Sequence, residues 1–163
     1  METPGVLQVF LVLAAGIQSI YYYRILPPIV AAHFSGSGVA DGWWPKPYFL
    51  LLYWVLIGSA LAVSAGVGAY AGRTPESRFR IPNKEYWLAA PRREQTVSFL
   101  RMHFRWLGVL LLVFQISVFQ LIFSADLSAK PSLDSSFLIV LVAFGVLIVV
   151  WGRRFTSKFS RID

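Results

Sequence analysis

A chain of 163 residues is sized for one domain; 56% of it is hydrophobic and only 14% charged, well under the roughly 25% charge of a soluble domain. That excludes a surface solvated on every side. Cysteine is absent, which removes disulfides, thiolate metal sites and a cysteine nucleophile, and the net charge of +7 has to be placed against a membrane before nucleic acid is considered.

Four runs free of Asp, Glu, Lys and Arg set the class: 21 residues between Glu2 and Arg24, 26 between Lys46 and Arg73, 20 between Arg105 and Asp126, and 18 between Asp134 and Arg153. A helix rises about 1.5 Å per residue and the hydrocarbon core is roughly 30 Å thick, so about 20 residues cross it. The expectation is an all-α membrane protein, a single domain over 1–163. It has four transmembrane helices (about 5–25, 48–71, 106–125 and 135–152), an ordered extracytoplasmic loop at 26–47, and a cytoplasmic loop at 72–105. A tail at 153–163 completes it.

The first helix ends in Tyr21, Tyr22, Tyr23 and Arg24, residues suited to the headgroup level, and Pro27-Pro28 stop it. The opening METPG lacks the basic start of a signal peptide, so this segment is expected to stay. In the outer loop, Ile29 to Phe34 fits a short strand, Ser35-Gly36-Ser37-Gly38 a turn, and Asp41-Gly42-Trp43-Trp44 a return to the interface, together a small hairpin. The second span carries Gly58, Ala62 and Gly66 at every fourth residue. Small residues so spaced form a helix-packing face, serving the bundle or a homo-oligomer.

The inner loop is polar, with Tyr86 and Trp87 expected at the inner headgroups. From Pro91 a stripe of Val97, Leu100, Phe104 and Leu107 recurs at helical spacing, and no breaker appears before Ala125. One long third helix, extending into the cytoplasm, is predicted. The fourth span, rich in Val, Ile and Leu, is predicted to face lipid, with Trp151 and Arg153-Arg154 as its anchor.

Basic residues sort between the two sets of connections, 12 in the central loop and tail against Arg24, Lys46 and Lys130 on the other side. Retention of Lys and Arg on the cytoplasmic side puts both termini in the cytoplasm; were the membrane a bacterial cytoplasmic (inner) membrane, this charge would meet membrane lipid and not nucleic acid.

Chemistry is sparse. The runs hold no ionisable residue of the kind that marks ion or proton pathways, and no axial histidine for haem. His33 and His103 fall on opposite faces and cannot share a metal, so no metal or cofactor is expected. His33 with Asp41 is the one outward pair able to do acid–base work, though a structural histidine explains it as well. His103, between Arg101 and Arg105, is expected to be solvated at the interface. Gln8, Gln18, Gln115 and Gln120 lie inside spans, either as helix–helix glue or as the lining of a small channel or transporter.

Leu26-Pro27, His33-Phe34, Gly38, Asp41-Gly42-Trp43 and Lys46 resemble the motif of a bacterial membrane domain of unknown function that forms the N-terminal part of SdpI-type immunity proteins. Ile81-Pro82-Asn83-Lys84-Glu85-Tyr86-Trp87-Leu88-Ala89 is similar to a second signature of small stand-alone members. The resemblance covers mainly residues 1 to 110. It implies a non-enzymatic protein that binds a peptide or membrane-protein partner, as in envelope protection or signalling. Its partner-binding residues would be His33, Phe34, Asp41, Gly42 and Trp43 on the outer face and Tyr86, Trp87, Arg92 and Arg93 on the inner face.

Overall fold

In the computed structural model, which describes residues 3–160, helix α1 (Thr3–Ile25) leads into strands β1 (Ile29–Phe34) and β2 (Ala40–Pro45) and then α2 (Lys46–Arg73). A single 3-10 turn (Glu76–Arg78) and the short α3 (Lys84–Trp87) precede α4 (Ala90–Asp126) and α5 (Ser135–Ser160). Helices α1, α2, α4 and α5 are each long and apolar enough to cross a membrane. The chain is a four-helix membrane protein, and its third long helix runs unbroken for 37 residues.

Packing follows helical period. On α2, Phe49, Tyr53, Ile57, Ala60, Ser64, Gly68 and Ala71 fall three or four apart and are all buried. They meet α4, where Leu112, Phe119 and Phe123 are buried one or two turns apart. Aromatic stacking fixes the centre, with Tyr53 on Phe119 at 4.4 Å and Tyr22 of α1 on Phe123 at 4.7 Å between ring centroids. The outward faces are as apolar as the core: Phe10, Ile17, Leu51, Ile139 and Val142 are all at least 60% exposed. Such a surface is stable against hydrocarbon and not against water. Phe159 is the sole buried residue of α5, which packs along α4.

Helix α5 continues beyond the expected span, through the start of the tail to Ser160, because Phe155 and Phe159 have an apolar cluster to join. Of the expected tail, Arg161 to Asp163 lie outside the described residues.

Candidate functional site

The hairpin is an antiparallel pair with Ile29 opposite Pro45, Ala31 opposite Trp43 and His33 opposite Gly42. Its motif residues are explained first by local sterics. Gly38 turns the chain at φ +82°, where L side chains are strained, and a Cβ there would lie 2.6 Å from the Leu133 carbonyl oxygen. At Gly42 a Cβ would come 2.8 Å from the His33 Cβ. Lys46 donates from Nζ to the carbonyls of Tyr23 (2.9 Å) and Leu26 (2.8 Å), capping the C-terminus of α1 where a cation is favoured. His33 Nδ1 and Asp41 Oδ1 are hydrogen-bonded across the hairpin, their side chains 73% and 47% exposed.

The loop between α4 and α5 joins this unit. Leu133 N–H donates to Gly38 O (2.8 Å), Ala40 N–H to Pro131 O (3.1 Å), and Val39 bridges Ser132. From below, Asp126 at the end of α4 accepts the Ala31 N–H on Oδ1 at 2.7 Å, and the residue is only 6% exposed. Its other oxygen, Oδ2, is buried without a hydrogen-bond partner among the described residues. Sequence reasoning passed over Asp126 as a boundary marker. The signal was there, in a lone acid closing an otherwise uncharged run opposite a strand with amides to satisfy.

Between hairpin, α4 and α5 lies a groove of about 640 Å³. Phe34 and the turn from Ser35 to Gly38 form one wall, and Val118, Ile122, Phe137 and Leu138 form an apolar floor. His33 borders it, while Trp43, half-exposed, lies on the strand behind. The structure therefore brings His33, Phe34, Asp41 and Gly42 into one unit.

The residues expected at the other face are built into the fold. Trp87 is buried, with Phe159 edge-on at 5.8 Å and its indole N–H donating to Phe159 O at 3.3 Å. Asn83, in the left-handed region at φ 52°, donates to the same carbonyl at 3.0 Å. Arg92 stacks 3.7 Å from the Tyr86 ring centroid and donates to Tyr86 O, and Arg93 donates to Thr74 O. Asn83 and Trp87 thus form a latch for the last turns of α5, Arg92 holds Tyr86 beside them, and Arg93 ties the start of α4 to the end of α2. His103, expected in solvent, is stacked between Phe99 (5.2 Å) and Trp151 (4.6 Å), because α5 brings Trp151 against it.

The glutamines tie helices together. Gln8 donates to Ser64 Oγ (2.7 Å) and Arg105 O (2.8 Å), and Gln18 bonds Gln120 (2.9 Å) and accepts from Tyr53 (2.6 Å). Gln120 donates to the Tyr22 hydroxyl and Gln115 to Leu56 O. These contacts are interhelical glue. The stripe of Gly58, Ala62 and Gly66 is not a packing face within the chain. All three are exposed, and nothing lies within 4 Å of a Cβ built at either glycine. Close approach occurs one face round, where a Cβ on Gly68 would meet Arg101 Cγ at 2.9 Å and one on Gly108 would meet Ser64 Cβ at 2.6 Å.

Residues 9–58, covering most of α1, the hairpin and the start of α2, match the family described as a domain of unknown function, DUF1648. No curated protein and no solved structure matches the chain.

Proposed function

We propose that this chain is a non-enzymatic protein of the bacterial inner membrane that captures a peptide or protein partner at its hairpin face. In this reading the hairpin lies outside the cell and the arginine-rich end inside, since 12 of the 15 basic residues belong to the latter. The role is akin to the envelope protection of SdpI-type proteins. The observation that carries it is the groove beneath the hairpin. Gly38, Gly42 and Lys46 hold the fold of the cap, and what the cap leaves open is an apolar floor with a hydroxyl-bearing wall at Ser35 and Ser37. An extended segment with one or two apolar side chains suits that shape.

Photo-crosslinking residues at Ser37 and Leu138 test it in living cells. Both should give the same adduct, whose mass identifies one peptide or protein. Val118→Trp, which fills the floor, should abolish it, and a crosslinker at Tyr48, on an exposed helical face, should not form it. Failure to form a shared adduct, or its survival in Val118→Trp, overturns the assignment.

A further inference from the structure

At the arginine-rich end a second cavity of about 500 Å³ opens between α1, α2 and α4. Its base is polar, made of Gln8 and the buried Ser64 hydroxyl, bonded to each other at 2.7 Å. Gly68 and Ala69 remove side-chain volume from one wall. The opposite wall is Arg101 and Arg105, one helical turn apart on α4. Among the described residues the Arg101 guanidinium makes no ion pair and no hydrogen bond, and its side chain is exposed. A second recess of about 320 Å³ shares Gly5 and Gln8 with this cavity and continues along α1 between Val9, Val12, Leu13 and Leu61.

Polar and apolar compartments thus adjoin through shared residues, with cationic groups beside the first and, past the shared Gln8, aliphatic walls beside the second. We propose that the pair forms a binding site for one anionic phospholipid, its phosphate held by Arg101 with Arg105 and one acyl chain lying in the recess lined by Val9, Val12, Leu13 and Leu61. Guanidinium offers a planar fork that matches phosphate oxygens, and basic pockets between membrane helices are suited to anionic headgroups. A free phosphate ion would leave the aliphatic recess without an occupant. A soluble peptide would have to enter the bilayer to fill it.

The test uses the full chain purified in mild detergent, delipidated, and offered phosphatidylglycerol or phosphatidylcholine, with bound lipid counted by native mass spectrometry. One phosphatidylglycerol per chain should be retained, about tenfold more tightly than phosphatidylcholine. Arg101→Gln with Arg105→Gln should lower retention to the phosphatidylcholine level. Ala69→Phe should do the same by volume alone, and since Ala69 is exposed this variant keeps the bundle intact. Arg153→Gln with Arg154→Gln removes equal charge from the same end and should leave retention unchanged. Millimolar inorganic phosphate should not displace the lipid. Equal retention of the two lipids overturns the proposal, as does persistence of phosphatidylglycerol in Ala69→Phe. Loss in the Arg153 and Arg154 variant would reduce the effect to net charge, and displacement by phosphate would make the cavity an anion site.

Discussion

Ser64 on α2 and Gly108 on α4 meet at a close approach of the bundle: a Cβ at position 108 would stand 2.6 Å from the Ser64 Cβ and 2.6 Å from Gln8 Nε2 of α1. Three helices meet at a point where one of them has no side chain. The Gln8–Ser64 hydrogen bond crosses this junction, so a polar pair and a small residue are fitted to each other.

Gly108→Ala is therefore expected to destabilise the protein by about 1–3 kcal/mol, the range for overpacking a tight site. Gly58→Ala and Gly66→Ala, which face open space, should be neutral or slightly stabilising. Thermal melts in detergent of the three variants, with Gly108→Ala recombined with Ser64→Gly, make the comparison. Recovery in the double variant identifies the Ser64 side chain as the clash, and no recovery identifies Gln8.

Hairpin substitutions should separate by what surrounds them. Gly38→Ala places a methyl against the Leu133 carbonyl at a positive φ and should unfasten the α4–α5 loop. His33→Ala or Asp41→Ala removes one exposed contact, and such pairs contribute about 0–1 kcal/mol. Amide hydrogen exchange at residues 38–40 and 131–133 should rise sharply in the first and barely move in the others.

Asp126 provides a third test. Asp126→Asn preserves an acceptor for the Ala31 N–H and should keep the fold, whereas Asp126→Ala leaves that amide buried without a partner, a cost of about 1–3 kcal/mol. Melting temperatures in one detergent decide between them, and equal stability of the two variants would show the bond to be dispensable.

At the opposite end, Phe159→Ala should release the latch. Buried Phe→Ala changes cost about 3–5 kcal/mol where the cavity cannot collapse. Here the loss is expected to be local, with faster exchange at 83–87 and 153–160 and none at the hairpin. Increased exchange throughout would mean that this cluster supports the whole bundle.

The absence of cysteine makes orientation directly testable. A single cysteine at Ser37 should react with an impermeant maleimide on intact cells, and one at Ser77 should react only after lysis. The reverse pattern would turn the proposed orientation over.

Much of the architecture was legible because uncharged run length measures the bilayer and because Ser35-Gly36-Ser37-Gly38 between short apolar segments can do little but turn. Side-chain placement was less so. In water, one face of a helix is polar and tells which face is buried; in lipid both faces are apolar and that signal is lost. Hence α2 offered two stripes of small residues, and nothing in the spacing of Gly58, Ala62 and Gly66 ranked it below the one containing Gly68. The burial of Trp87 and the stacking of His103 are hidden in the sequence for a related reason. Aromatic and amphipathic residues suit headgroups in general, and only the unforeseen run of α5 to Phe159 draws them inward.

The bonds from Gly38 and Ala40 to Leu133 and Pro131 have a consequence for biogenesis. The hairpin emerges from the ribosome early, yet the partners along its edge are made only after α4. Until the translocation machinery has delivered the last two long helices, the cap carries an unpaired margin open to whatever shares its compartment.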